Sequence, residues 1–292
     1  MSQFLQQVIN GLSIGSVYAL IALGYTMVYG IIKLINFAHG DIFMFGTYIG
    51  MLSITVLHLP FALAFIVAMA VTALLGVIIE RVAYKPLRKS TKTAALITAI
   101  GVSFLIQNSV LAVMGANIDA FPQVIENRYY DFLGVRVNLI QMIIFFTSIT
   151  LMFILQFIVR KTKLGRAMRS VAVDKDASAL MGVNVDNTIT ITFAIGSALA
   201  AAAGIMVGLY YIKVYPFMGF APGLKAFVAA VFGGIGIIPG AMIGGFSIGL
   251  IETMVAGYGS TLYKDAVVYG ILILILLVKP SGLLGKNVKE KV

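Results

Sequence analysis

Long apolar runs separated by short polar breaks account for nearly the whole chain. The first extends from about Leu5 to Ile32 without a charge. Asn36-Phe37-Ala38-His39-Gly40-Asp41 interrupts it, and a shorter run continues to about Leu57. Leu59-Pro60 turns the chain into a third run ending at Glu80-Arg81, and a fourth covers about Thr93 to Met114. A fifth lies between about Val137 and Val159, a sixth between about Thr188 and Tyr211, and a last between about Ala266 and Val278. Before that last run, Ala226 to Ala256 is broken by Gly233-Gly234-Ile235-Gly236-Ile237-Ile238-Pro239-Gly240, leaving halves that read as too short for ordinary spans. An apolar run of about 20 residues crosses a ~30 Å hydrocarbon core as a helix. A membrane β-barrel would alternate polarity over ~10-residue segments, and no such pattern occurs. The expected fold is therefore all-α: one polytopic helical membrane domain over residues 1–292, with about eight segments. Its broken region should enter and leave on one side, because irregular backbone at membrane depth needs protein or water around it.

Composition and charge agree with this reading and orient it. Hydrophobic residues make up 60% of the chain and charged ones 11%, against roughly a quarter charged in soluble domains. Of the 21 Lys and Arg, five fall between Arg81 and Lys92, six between Arg160 and Lys175, and four between Lys279 and Lys291. Each cluster sits at the end of an apolar run, where the positive-inside bias places it in the cytoplasm. That puts the N-terminus outside, the C-terminus inside, and the slightly acidic loop from Gly115 to Arg136 outside. Lys213, Pro216, Pro222 and Lys225 then mark a further outer connection. A nucleic-acid partner would call for a basic face on a soluble domain, and the net charge of +10 is not distributed that way. With no cysteine, disulfides, thiol chemistry and Cys-ligated metals are excluded. The N-terminus has no basic region and cleavage site of a signal peptide, so the first segment is expected to be retained. Nothing in the pattern calls for a cofactor.

Small residues recur at four-residue spacing: Gly11, Gly15 and Ala19; Gly46 and Gly50; Gly196, Ala200, Gly204 and Gly208; Gly245 and Gly249. This spacing aligns them on one helix face and predicts close helix packing.

The longest polar stretch that must lie outside the bilayer runs from Arg160 to Asn187. Within it, Asp174 is placed to cap a short helix, Val173, Ala177, Leu180 and Met181 fall on one face, and Gly182 supplies the stop. Such a ridge either fits the groove of a partner or packs back on the chain's own helix ends. Asp176-Ala177-Ser178, with Gly182 after three further residues, resembles the Glu-Ala-Ala-x-x-x-Gly signature of permease subunits of ATP-binding cassette importers, with Asp for Glu and Ser for the second Ala. Tyr18 to Gly30, Ile35 to Asp41, Val231 to Gly245, Lys161 to Arg169 and Pro280-Ser281-Gly282 resemble the branched-chain amino acid importer permeases, in particular their H-type subunit.

That resemblance implies that residues 160–187 form a cytoplasmic coupling loop, with Asp174, Asp176, Ala177, Ser178, Leu180, Met181 and Gly182 docking on an ATPase. It implies four kinds of partner: a second homologous permease, two ATP-binding cassette ATPases, an extracytoplasmic substrate-binding protein and the lipid of a bacterial inner membrane. Transport of leucine, isoleucine or valine by alternating access would follow, though permeases of similar appearance import urea, amides or other amino acids. The chain has no Gly-x-x-x-x-Gly-Lys-Ser/Thr phosphate loop, so it is expected to be a transport subunit rather than an enzyme.

Asn36, His39, Asp41 and Glu252 are the candidates for a translocation path or gate, because ionisable residues in membrane segments usually face a cavity or the bundle interior. For His39 and Asp41 the simpler expectation is a helix start near the cytoplasmic surface, with Asp41 as the cap. Glu252 sits deeper in its segment, in a functional or pairing role. His39 and Asp41 alone do not make a metal site, and no nucleophile–base–orienter set can be assembled by spacing. The contrasting reading is a self-sufficient ion-coupled transporter or facilitator, which would need coupling carboxylates at the midplane. Only Asp41 and Glu252 offer these, and the long basic loop would then have no task.

Overall fold

The computed structural model describes residues 2–88, 90–132 and 134–285. The basic tail residues Lys286, Lys289 and Lys291, and Lys89 of the first basic loop, lie outside the described residues. Apart from a two-stranded hairpin, β1 (Tyr129–Phe132) with β2 (Val135–Asn138), the regular structure is helical. Six helices are long and apolar enough to cross a membrane. They are α1 (Ser2–Ile32), α3 (Phe61–Ile79) with its π-helical extension Glu80–Tyr84, α4 (Lys92–Met114), α5 (Leu139–Lys161), α8 (Val185–Tyr211) and α10 (Ile238–Tyr258). Three shorter apolar helices join them: α2 (His39–Thr55), α9 (Phe220–Gly233) and α11 (Lys264–Val278). The remaining two, α6 (Lys163–Val173) and α7 (Lys175–Leu180), belong to the long basic loop.

Helix α1 is the axis of the bundle and packs on α10, α8, α9 and α5. Its residues Val17 to Val28 are buried all round, as expected of a helix that is apolar on every face. The small-residue faces make these crossings possible. A Cβ added at Gly249 would stand 2.3 Å from the Gly15 Cα, and one at Gly245 2.4 Å from the Ala19 Cα. Gly46 meets Ala201 of α8, and Gly204 meets Phe43 of α2, in the same backbone-to-backbone manner. The four-residue spacing thus marks two helix seams, α1 against α10 and α2 against α8.

The basic clusters gather at one end of the bundle. Arg88 bonds Asp186 at the start of α8, α6 and α7 lie beside these ends, and Leu283 N–H bonds the Phe232 carbonyl at the end of α9. The hairpin and the other helix ends form the opposite pole, where Gln6 exchanges bonds with Arg136.

Two expectations about the interrupted segments change. The glycine-rich break at 234–237 lies at the basic end, and α10 beyond it, with 21 residues, is long and apolar enough for a full crossing rather than a half. The real discontinuities are the starts of α2 and α9, which meet inside the bundle. Gly40 and Gly219 are in such close backbone contact that a Cβ on Gly219 would fall 1.9 Å from the Gly40 carbonyl oxygen. Helix α8 ends on Ile212 at φ 56°, an uncommon left-handed position for a β-branched residue. The chain from there reaches Gly219 without regular helix, so α9 covers only part of its crossing. Lys225, expected in an outer connection, is a buried residue of α9.

Candidate functional site

At the basic end, α6 and α7 form the elbow that the sequence pattern marks out. Thr162 caps α6 by accepting from Gly165 N–H at 3.1 Å, and the helix buries Gly165, Met168 and Val171. Asp174 then caps α7, its Oδ1 accepting from the N–H groups of Asp176 and Ala177, both at 2.9 Å. Gly182, at φ +81°, ends it in the left-handed conformation that a helix stop requires. Ser178 is the buried residue of α7. Its hydroxyl donates to the Asp174 carbonyl at 2.6 Å and lies 2.6 Å from the Ser170 hydroxyl, tying α7 to α6. Asp176 and Ala177 are exposed. Val173, Leu180 and Met181 are 89%, 88% and 83% exposed. The apolar ridge therefore does not pack back on the chain's own helix ends.

An ion network at the base of this elbow escapes sequence reasoning. Glu80 is buried and paired to Arg88, and its Oε2 accepts from the Thr190 hydroxyl at 2.7 Å. Arg88 also reaches Asp186, which Lys85 approaches to 2.8 Å. The four residues join the end of α3 to the start of α8 directly beside α7. Glu80-Arg81 reads in sequence as a simple helix end; the eight-residue spacing to Arg88 across Pro86 carries no periodic signal. Burial and the nearby Arg88 and Lys33 charges push the pKa of the Lys175 ammonium in α7 down from its ordinary value.

The candidate path residues all lie inside the bundle. Asn36 Oδ1 accepts from Ala38 N–H at 3.1 Å and from the Tyr84 hydroxyl at 3.0 Å, fixing the irregular entry to α2. His39 is 1% exposed, stacked edge-on against Tyr25 at 4.7 Å, with its Nε2 against Gly24 and without a hydrogen-bond partner. Asp41 is 3% exposed. Its Oδ2 accepts from the Ser103 hydroxyl at 2.5 Å and its Oδ1 from the Gln107 amide at 2.8 Å. Both donors are halfway along α4, so the expected placement of His39 and Asp41 near the surface does not hold. Nor is Asp41 a cap: the N-cap position is Ala38, which makes no side-chain cap bond. The short loop preceding α2 turns back into the bundle instead of ending at its edge.

Glu252 does pair, in a cluster that joins four helices. Its Oε1 meets Lys225 of α9 at 2.7 Å and Lys264 of α11 at 3.4 Å. Its Oε2 accepts from the Tyr18 hydroxyl of α1 at 2.7 Å. Lys225 also contacts Asp265 at 2.6 Å. The cluster borders a cavity of about 330 Å³ whose wall includes Ser13, Met206, Tyr211 and Lys213. A lysine surrounded by Leu224, Ala226 and Phe227 in an apolar run is the signal that could have placed Lys225 in the membrane with a carboxylate partner.

Among the described residues, no group of three or more His, Cys, Asp or Glu is arranged to hold a metal. The two described poles and the bundle between them therefore offer one exposed apolar elbow and two polar interiors.

Comparison with known proteins identifies the family. Residues 7–276 match the family described as "Branched-chain amino acid transport system / permease component". The high-affinity branched-chain amino acid transport system permease protein BraD of Pseudomonas aeruginosa is 44% identical, over 99% of this chain and 98% of its own. LivH of Escherichia coli K12, of the same description, is 44% identical with the same coverage. In fold, the chain resembles a chain of PsaBC from Streptococcus pneumoniae, at TM-score 0.53 and 12% identity, over 96% of this chain and 93% of that one. With near end-to-end identity at this level and a family match over almost the whole length, the chain belongs to the permease components of branched-chain amino acid transport systems.

Proposed function

We propose that the protein is the membrane-crossing subunit of an ATP-driven importer that carries leucine, isoleucine or valine into the cell. The exposed ridge on α7 carries this reading. An apolar ridge facing water at the basic end of a membrane protein is costly unless a partner covers it. The relatives' transport of branched-chain amino acids supplies the substrate class. Two ATPase subunits would seat the ridges of this chain and of a second, homologous permease, and an extracytoplasmic binding protein would deliver the amino acid.

In this reading the basic end is cytoplasmic and the N-terminus extracytoplasmic. Asp174 and Gly182 set the ends of α7; Asp176, Ala177, Leu180 and Met181 face the ATPase, and Ser178 holds α7 to α6. Movement of the docked elbow passes through Glu80, Arg88 and Asp186 into α3 and α8. Asn36, His39, Asp41 and Glu252 belong to the path or its gate. A partner shifts such a two-state equilibrium only by gripping the elbow differently in its ATP-bound and hydrolysed states. Affinity purification of the tagged chain in mild detergent tests the assembly: ATPases and a second permease should co-elute. A chain that elutes alone and still moves amino acid into vesicles would replace this reading with a self-sufficient transporter.

A further inference from the structure

Three carboxylates are buried in the described bundle, and two of them have a cation of this chain beside them: Glu80 has Arg88 and Glu252 has Lys225. Asp41 differs. Its two hydrogen-bond donors, Ser103 and Gln107, are neutral, and none of the ion pairs among the described residues includes it. A buried carboxylate without a counter-charge is costly. Asp41 is also the one of the three on the wall of a cavity of about 490 Å³ between α2, α4 and α9, whose lining holds no Lys, Arg or His. The remaining walls are largely aromatic: Tyr25, Phe37, Phe104, Phe217 and Phe227. Phe104 and Phe217, at 59% and 50% exposure, stand at its open side.

Aromatic faces attract cations and cover aliphatic groups equally well. A bare metal ion fits poorly, because it needs several oxygen ligands and Asp41 is the single carboxylate in the lining. A primary ammonium fits better: it is a cation that brings its own hydrogen-bond donors, and an attached branched aliphatic chain would lie against the phenyl rings. We propose that this cavity is an ammonium subsite on the translocation path. Asp41 receives the α-ammonium group of the passing amino acid while the aromatic wall covers its side chain. The proposal rests on the import reading for the identity of the amine, and on the structure alone for the cation preference.

The chain has no cysteine, so a single introduced thiol reports the local field. Phe217→Cys is made in the assembled transporter in membranes. Its labelling is followed on this subunit's gel band with two methanethiosulfonates, one carrying a quaternary ammonium and one a sulfonate. The cationic reagent should react faster by about tenfold or more, relative to the ratio for a free thiol, because an ionised carboxylate bordering a low-dielectric cavity concentrates cations. Asp41→Asn should erase that preference and reduce leucine uptake about tenfold or more. Phe104→Cys, at the other side of the mouth, provides the same readout should the first variant misfold. Equal rates with Asp41 present, a preference that survives Asp41→Asn, or no labelling at either position would each overturn the proposal. If the complex imported a different solute, the import reading would fail while the labelling ratio would still be decided by Asp41.

Discussion

Replacing Lys225 with Met should destabilise the bundle more than loss of any exposed ion pair. Lys225 and Glu252 side chains are each 6% exposed and 2.7 Å apart, and Lys225 also holds Asp265. Lys225→Met leaves Glu252 with the Tyr18 hydroxyl and one cation, Lys264, which is 3.4 Å away and 37% exposed. Removing one partner of a buried pair costs about 3–5 kcal/mol. Lys264 offers partial compensation, so the lower end, about 3 kcal/mol, is expected. Because that cost comes from the stranded carboxylate, Lys225→Met combined with Glu252→Gln should recover about 2 kcal/mol of it. Unfolding by sodium dodecyl sulfate titration in mixed micelles, run on both single variants and the double, measures each term. A loss below about 1 kcal/mol for Lys225→Met, or a double variant at least as unstable as the sum of the singles, would refute the argument.

Other predictions concern the helix seam, the elbow and its charge. Gly249→Leu places a side chain against the Gly15 backbone and should cost about 1–3 kcal/mol or block assembly. Gly101→Ala, whose added Cβ meets nothing within 4 Å, should be neutral in the same micelle assay. Leu180→Glu should leave insertion and stability unchanged, since the side chain is 88% exposed, yet abolish ATP-driven uptake in vesicles; normal uptake would remove α7 from the coupling route. Lys175 has a lowered pKa in the fold, so the folded chain binds that proton less tightly than the unfolded one. Its stability contribution is complete above the ordinary lysine value and is lost as pH falls through the lowered one. At neutral pH the chain carries that penalty, and Lys175→Gln should therefore raise its melting temperature slightly in detergent.

Much of the architecture is legible in residue order because its causes are local. Asp174 and Gly182 define α7 by capping and by a left-handed stop. Gly15 with Gly249, and Gly204 with Phe43 of α2, lie on seams that the four-residue spacing of small residues predicts, although spacing does not say which faces meet. The misplacements have non-local causes. Pro216, Pro222 and Lys225 look like a loop, yet Lys225 stands in the second turn of α9, and its charge is accepted because Glu252 and Asp265 arrive from two other helices. Asp41 looks like a cap because it stands in the first turn of α2. Its partners, Ser103 and Gln107, lie one turn apart in a charge-free run, where they read as ordinary polar residues. The ridge of α7 is visible in sequence, but its exposure follows from the orientation of α6 against the bundle.

In the proposed mechanism, ATP hydrolysed outside this chain moves a branched-chain amino acid through it by way of α7. The most direct test is uptake of radiolabelled leucine by vesicles holding the purified complex, with the loaded binding protein outside and ATP inside. Uptake should require ATP and disappear in Leu180→Glu while the ATPases continue to turn over. Uptake at the same rate without ATP, or with the ridge disrupted, would contradict it.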